Sequence, residues 1–106
     1  MPAQPDRNAT IAASATASAA VGTAQGKLGS FQLPTMSGTA ITVQVNDDGS
    51  ANWTNCPVEG NEVNPLVTAS NGTYALPVKT FCFRYFRLVS GSTETAARTI
   101  PIFIRD

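Results

Sequence analysis

Histidine is absent from this sequence of 106 residues. Because imidazole is the usual general base near neutral pH and the commonest metal ligand, its absence removes most catalytic triads and most transition-metal sites. Charge is also scarce: Lys, Arg, Asp and Glu make up 13% of the chain, and the formal net charge is zero. A protein that grips nucleic acid needs a basic stripe to displace counterions. We therefore predict neither an enzyme nor a nucleic-acid partner.

Long apolar runs are missing as well. No stretch approaches the roughly 20 apolar residues that a spanning helix needs, so no membrane partner is predicted. The segment AASATASAA contains small-residue sites like those that signal peptidases cleave. It is rich in Ser and Thr rather than Leu, and Pro2, Pro5 and Asp6 precede it in place of a basic leader. A secretion signal is therefore not predicted.

Cysteine occurs only at Cys56 and Cys82. The two thiols could pair, but two free buried thiols are equally compatible with a short chain that has its own core. Neither cysteine has an activating neighbour in sequence, except that Arg84 stands close to Cys82 and could lower its pKa. A core position is the favoured interpretation, and no catalytic residue is predicted.

One stretch, NDDGS, gathers oxygen atoms as a hard cation requires. Asn46, Asp47, Asp48 and Ser50 surround a glycine there. The EF-hand spacing and its terminal Glu are absent, however, and Asp-Gly is common in hairpin turns. We interpret the stretch as a tight turn and predict no metal site and no cofactor.

The sequence does contain the alternation that is typical of strands. From Lys27 onward, short segments rich in β-branched and aromatic residues are separated by Gly, Pro, Asn and Asp. In TAITVQVN, Ile41, Val43 and Val45 fall on one face and polar residues on the other. The prediction is an all-β fold, an antiparallel β-sandwich of the jelly-roll type, over residues 26–106.

Three hairpins are predicted within this domain. The longest spans residues 80–104, where the apolar runs FCFRYFRLV and IPIFI flank the link SGSTETAAR. A second centres on Asn71-Gly72, and a third on NDDGS with a return strand at residues 51–54. Pro101 cannot donate a ladder hydrogen bond, which predicts an edge position or a nitrogen that faces away from the sheet.

Three arginines are predicted to be structural. The run FCFRYFRLV does not alternate cleanly, so we expect a central strand, or one with a bulge near Arg84 that exchanges its faces. Arg84 and Arg87 then need partners, because a guanidinium held against a core is costly without carboxylates or carbonyls. Arg98 is expected to pair with Glu94 or with a backbone carbonyl.

Residues 1–25 differ in composition from the rest of the chain. Two prolines occur in the first eight residues, and Ala with Ser and Thr dominates residues 9–25. Ala favours helix, but Ser and Thr alternate with it at the strand period. We predict an extended arm that lies on another protein surface. The interface residues expected in it are Pro2, Pro5, Asp6, Arg7, Asn8, Thr10 and Ile11.

Four motifs together resemble a group of small structural proteins of tailed bacteriophages. They are LPTMSGTAITVQVNDDGSANW, ASNGTYALP, FRYFRLVSG and AARTIPIFIRD, and the similarity covers roughly residues 17–106. The resemblance implies a decoration or cement protein that is made in the bacterial cytoplasm and binds the outer capsid surface of the virion, stabilising the head. The implied partners are the major capsid protein and further copies of this chain, arranged as a trimer.

Two other functions fit the same features. If Trp53 and Tyr74 are exposed, they would form a platform on which sugars stack, as in a carbohydrate- or receptor-binding module of a phage tail or baseplate. A head-completion or tail-tube protein would instead form a ring of a different symmetry. Strands with the pattern F-R-Y-x-R-L also occur in discoidin-like jelly rolls that bind carbohydrates and lipids.

Overall fold

Two antiparallel β-sheets pack against each other in the computed structural model, which describes residues 7–23 and 26–105. The all-β, antiparallel sandwich prediction is thus confirmed. The strands are β1 (Arg7–Ile11), β2 (Val21–Gly22), β3 (Leu28–Gln32), β4 (Ala40–Asn46), β5 (Thr54–Asn55), β6 (Leu66–Val67), β7 (Thr73–Ala75), β8 (Tyr85–Ser90) and β9 (Arg98–Arg105). A 3-10 helix, Val78–Cys82, precedes β8.

The strand pairs are nested around the β4–β5 connection. Sheet A has the order β1-β9-β3-β7, and sheet B has the order β2-β8-β4-β5, with β6 also paired to β4. Thus β1 pairs with β9, β2 with β8, and β3 with β7, whereas the ladders β3–β9 and β4–β8 join these pairs side by side. Among the described strands, only β4 and β5 form a hairpin from chain neighbours.

Two of the three predicted hairpins are wrong. β8 lies in sheet B and β9 in sheet A, so residues 91–97 cross between the sheets. The turn at Asn71-Gly72 does form, with a φ of 66° at Asn71, but β6 and β7 also belong to different sheets. The hairpin at NDDGS is confirmed, although its return strand is Thr54–Asn55 rather than residues 51–54.

β8 is a central strand, as predicted, because β2 and β4 flank it. The expected bulge near Arg84 is not present. Six consecutive pairs join β8 to β4, from Asn46↔Tyr85 to Ile41↔Ser90, and Arg84 lies just before the strand begins. The mixed apolar pattern of the sequence arises because the 3-10 helix and the strand share that run.

Pro101 lies inside β9, which has a strand on each side, so the expected edge position is wrong. The Lys27 N–H donates to the Arg105 carbonyl at 2.8 Å, so the backbone groups of Arg105 point towards β3. Backbone groups of every second residue in a strand point to the same side, and those of Pro101 therefore also point towards β3. The β3 ladder ends at Ile102. The proline nitrogen therefore faces a position beyond the ladder, where no N–H is needed.

The hydrophobic core lies between the two sheets. Ile41, Val43 and Val45 of β4 are buried, as the alternation predicts. Burying one such side chain contributes roughly 1.5–3 kcal/mol, so the set supplies much of the driving force for folding. The large apolar side chains that are fully buried are Ile11, Phe31, Leu33, Ile41, Val43, Val45, Phe86, Leu88, Ile100 and Ile102.

The described part of the N-terminal segment belongs to the sandwich. β1 pairs with β9 over five residues, and Ala9 and Ile11 are fully buried. Farther on, Ser18 and Ala17 bridge to Ile11 and Val89. The predicted extended conformation is present in β1, but this strand lies against β9 of the same chain rather than on another protein, and its side chains Ala9 and Ile11 join the core. Residues 1–6, with the predicted contacts Pro2, Pro5 and Asp6, lie outside the described residues.

A side chain takes the place of a strand partner on β4. Between the short ladders to β5 and β6, Asn64 accepts the Val43 N–H at 2.9 Å. The Asn64 amide nitrogen donates to the carbonyls of Val43, at 2.9 Å, and Cys56, at 3.0 Å. The amide thus satisfies the Val43 N–H, and it adds a second donor to the Val43 carbonyl, which also accepts the Cys56 N–H at 2.8 Å.

Candidate functional site

Side-chain oxygen atoms of the Asp-Gly turn accept hydrogen bonds from other groups of the same turn. Asp48 Oδ1 accepts hydrogen bonds from the N–H groups of Ser50, at 2.9 Å, and Ala51, at 3.1 Å, and from the Asn46 amide at 3.0 Å. These backbone bonds lower the pKa of Asp48. Asp47 Oδ1 accepts the Arg84 N–H at 3.0 Å. The calcium interpretation gains no support, since no group of three or more His, Cys, Asp or Glu in the described chain could hold a metal.

Both cysteines are free thiols. Cys56 is buried and lies 3.5 Å from the Thr80 hydroxyl, measured from sulfur to oxygen. Burial raises the pKa of the Cys56 thiol, which disfavours the thiolate. Cys82 is exposed, so a core position holds for Cys56 and is wrong for Cys82.

Arg87 has two partners on the outer face of sheet B. Its Nε donates to Gln44 Oε1 at 2.8 Å, and its guanidinium lies over the Trp53 ring, 4.7 Å from the ring centre. Gln44 in turn donates to Asn55 at 3.2 Å. Arg87 thus has a carbonyl partner, as expected, in the side-chain amide of Gln44, and the Trp53 ring adds a cation–π contact.

Arg84, the other arginine of this run, is exposed and contributes through its backbone. Its N–H donates to Asp47, and its carbonyl accepts the Thr23 N–H at 2.9 Å. None of the described hydrogen bonds involves the Arg84 guanidinium. The side chain does not hold a bulge in place, and it remains free to meet a ligand.

The predicted ion pair between Arg98 and Glu94 is confirmed, with 2.9 Å between Nε and Oε1. The sequence did not reveal that the Glu94 side chain is wholly buried. Its carboxylate accepts three further hydrogen bonds, from the N–H groups of Ser37 (2.8 Å) and Gly38 (3.2 Å) and from the Ser90 hydroxyl (2.6 Å). A buried carboxylate is tolerated only when it is paired in this way.

At this carboxylate, hydrogen bonding lowers the pKa by more than burial raises it. Burial by itself raises the pKa of Glu94, but the bonds from Ser37, Ser90, Arg98 and Gly38 lower the pKa to about 2. The Glu94 backbone also pairs with the N-terminal segment, because its carbonyl accepts the Ser14 N–H at 2.8 Å and its N–H donates to Ala15 at 3.0 Å. One residue therefore ties together the chain before β2, the chain before β4 and the crossover between β8 and β9.

The predicted interface residues on β1 fall into two groups, because alternate side chains of the strand face the core or the solvent. Ile11 is fully buried in this chain's own core, so its side chain is not available to a partner and that prediction is wrong. Asn8 and Thr10 are exposed, and Arg7 is half-buried. Asn8 and Thr10 lie opposite Pro101 and Thr99 of β9 on the surface of sheet A.

The surface that contains them is here called the outer face of sheet A. It consists of Asn8, Thr10, Leu28, Ser30, Gln32, Thr73, Ala75, Thr99, Pro101, Phe103 and Arg105. Arg105, at the end of β9, is the one charged residue in this set. Leu28 is 53% exposed, and Phe103 is half-buried opposite Ser30. The face is therefore almost uncharged, and it spans all four strands of sheet A.

Trp53 and Tyr74 do not form a common platform. Tyr74 belongs to β7 in sheet A, where its ring centre lies 5.8 Å from that of Phe31 and its hydroxyl accepts the Ala69 N–H at 2.8 Å. Trp53 precedes β5 in sheet B, where Arg87 covers its ring. A sugar-stacking platform made of these two residues is therefore not present.

Within residues 7–23 and 26–105, no helix has the length and apolar character needed to cross a bilayer. The chain matches no family model, no curated protein and no solved structure. The resemblance to tailed-phage structural proteins stays a prediction.

Proposed function

We propose that this protein is a structural component of a tailed-phage virion, a decoration protein that binds the outer surface of the major capsid lattice and stabilises the head. The observation that carries the proposal is the outer face of sheet A, where one of eleven residues is charged. Depletion of charge is the compositional signal of the central part of a protein interface.

The nested strand pairing supports this proposal. β5 and β6 can be counted as one interrupted strand beside β4, which gives eight strands. They pair from the outside of the chain inward: β1 with β9, β2 with β8, β3 with β7, and β4 with the interrupted strand. We infer that this is a jelly roll, the two-sheet architecture that viral capsid proteins often use. Because one architecture hosts many functions, the fold supports the proposal only by analogy.

The open edge of β1 offers a second means of attachment. Ala19 N–H donates to the Thr10 carbonyl at 3.3 Å, which shows that the backbone groups of Thr10 point away from β9. Asn8 is two residues along the same strand, so its backbone groups point the same way. No described strand pairs with that side of Asn8. An extended segment of the capsid protein could add to this edge and gain main-chain hydrogen bonds.

We further propose that copies of this chain are arranged as trimers at lattice vertices. Each contact that one copy makes with the shell is small, because the outer face of sheet A belongs to a four-stranded sheet of a 106-residue chain. Contacts of this size are weak when they act singly, and many of them sum through multivalent attachment to the shell.

The proposal is tested with heads purified from the phage that encodes this chain and stripped of it. A Thr99→Lys variant places a charge on the outer face of sheet A, opposite Thr10 of β1, and Thr54→Lys places the same charge on an exposed strand of sheet B. Thr99→Lys should weaken rebinding by about tenfold or more, as burial of one unpaired charge implies. Equal rebinding of both variants and the parent chain would show that sheet A is not the attachment face.

The predicted contacts at Pro2, Pro5 and Asp6 need a separate variant. Deleting residues 1–20 would remove β1 and its buried Ala9 and Ile11, so lost binding could not be separated from unfolding. Deleting residues 1–6 leaves β1 whole. If these residues contact the capsid, this deletion lowers head occupancy while the near-UV circular dichroism stays that of the parent chain.

A further inference from the structure

An open groove lies at one end of the sandwich, beside the Asp-Gly turn. Two adjoining hollows form it, with volumes of about 730 Å³ and about 390 Å³. Asp47 and Phe83 line both hollows, so the two lie next to each other. Each volume falls within the range of about 300–1,000 Å³ that is usual for sites that bind small molecules.

Hydrogen bonds hold the walls of the groove in place. The Thr23 hydroxyl donates to the carbonyl of Phe83 at 2.6 Å, and the Asp47 carboxylate accepts the Arg84 N–H on the other side of the same segment. Within the turn, Asn46 accepts the Gly49 N–H at 3.0 Å and donates to the Ala51 carbonyl at 2.7 Å. A site whose walls are already ordered loses little entropy when a ligand binds.

Several polar groups of the groove have no partner within the described chain. The Arg84 guanidinium, the Asn52 amide and Asp47 Oδ2 take part in none of the described hydrogen bonds. Arg84 and Asn52 are exposed, and Asn52 has a φ of 61°. The groove therefore offers an uncommitted donor, an uncommitted acceptor and an amide that supplies both.

Two aromatic side chains stand beside these groups. Phe83 and Tyr85 are half-buried, so part of each ring meets solvent. Gly49, across the turn, approaches the Tyr85 ring so closely that an added Cβ would lie 3.3 Å from it. The groove thus combines apolar ring surface with hydrogen-bonding groups of both kinds on fixed segments.

The charges of the groove determine which ligands it can accept. Asp47 and Asp48 would repel an anion such as a phosphate, although Arg84 would attract it. A metal ion is disfavoured as well, because Asp48 Oδ1 already accepts three hydrogen bonds of the turn. A neutral ligand rich in hydroxyl groups meets none of these costs, and its C–H surfaces can pack on aromatic rings.

We propose that this groove binds a neutral oligosaccharide. Phe83 and Tyr85 contact the sugar rings, and Asp47, Asn52 and Arg84 exchange hydrogen bonds with the hydroxyl groups. The inference is independent of the proposed attachment to a capsid, because no residue that lines the groove belongs to the outer face of sheet A. A glycan could therefore bind while that face is occupied.

The experiment is a titration of the full-length ¹⁵N-labelled chain with maltohexaose, cellohexaose and chitohexaose, and with a sulfated heparin hexasaccharide as the charged comparison. At least one neutral hexasaccharide should shift the amide signals of Asp47, Asn52 and Arg84 with a Kd of about 1 mM or below, the range of a few hydrogen bonds and ring contacts. The proposal fails if no neutral sugar shifts them or if only heparin does.

A pair of arginine variants assigns any binding to the groove. Arg84→Gln removes the uncommitted guanidinium, and Arg105→Gln removes an exposed guanidinium on sheet A. Arg84→Gln should weaken sugar binding by about tenfold, the loss expected from one hydrogen bond to a charged group. Asp47→Asn keeps an oxygen for the Arg84 N–H and should also weaken binding. Equal affinity of these three variants would place the sugar elsewhere.

Discussion

The carboxylate of Glu94 accepts a hydrogen bond from Arg98 Nε at 2.9 Å, at a position where the Glu94 side chain has no exposed surface. This pair stands at the start of β9, and it also reaches Ser37 and Gly38 in the loop before β4. The loop before β4 and the crossover between β8 and β9, which are distant in sequence, thus depend on one charged group. The stability of the sandwich should therefore depend strongly on Glu94.

Replacing Glu94 by Gln should destabilise the fold by roughly 3–5 kcal/mol, because it leaves Arg98 without its counter-ion in a mostly buried position. Chemical denaturation of the variant and the parent chain measures this loss. The matched control is Glu59→Gln, since Glu59 is exposed and its carboxylate lies 4.0 Å from the Lys79 ammonium. That change should cost no more than about 1 kcal/mol. Similar losses for both variants would contradict the role given to Glu94.

The same carboxylate predicts an acid-sensitive stability. The pKa of Glu94 falls from 4.5 to about 2 on folding, so the unfolded chain binds the proton more tightly. The stabilisation is complete above the unfolded pKa and is lost as the pH falls from about 4.5 towards 2. Thermal unfolding followed between pH 7 and pH 2 should show the Tm falling in that window. In Glu94→Gln this component of the decrease should be absent, and an unchanged profile would refute the assignment.

Truncation of Ile11 tests whether the N-terminal segment belongs to the fold. Ile11 is fully buried, so Ile11→Ala should cost about 2–5 kcal/mol through lost contacts and a residual cavity. The neighbouring Thr10 is exposed, and Thr10→Ala should change the free energy of unfolding by about 0.5 kcal/mol or less. Urea denaturation of the two variants provides the comparison. An arm that is separate from the domain would make both changes equally small.

Asn64 provides a further test, since its amide replaces a strand partner of β4. Asn64→Ala leaves the Val43 N–H without its partner, whereas the Val43 carbonyl keeps the Cys56 N–H, and the loss should cost about 1–3 kcal/mol. Asn61 is exposed on the same loop, and Asn61→Ala should be nearly neutral. Hydrogen exchange gives a local measure: the Val43 amide should exchange faster in Asn64→Ala alone. Unaltered protection of Val43 would show that the side chain is dispensable.

Prediction from the sequence succeeded where the physics is local. Alternating Ile41, Val43 and Val45 identified β4 and its buried face, because successive side chains of a strand point to opposite sides. The short distance between Glu94 and Arg98 in the chain was enough to predict their ion pair. The burial of Glu94 could not be predicted, because its partners Ser37 and Gly38 lie 57 and 56 residues away in the chain and only the packed sheets bring them close.

By itself, the sequence determined that the chain forms strands, which residues of β4 face inward, and that the Asp-Gly turn joins β4 to β5. Only the tertiary structure decided which strands pair. Turn residues fix the direction of the chain over a few residues, whereas pairing depends on which arrangement buries the most apolar surface. Pairing β1 with β9 sets Ala9 opposite Ile100 and brings Ile11 into the same core as Ile100 and Ile102, a result that no local pattern encodes.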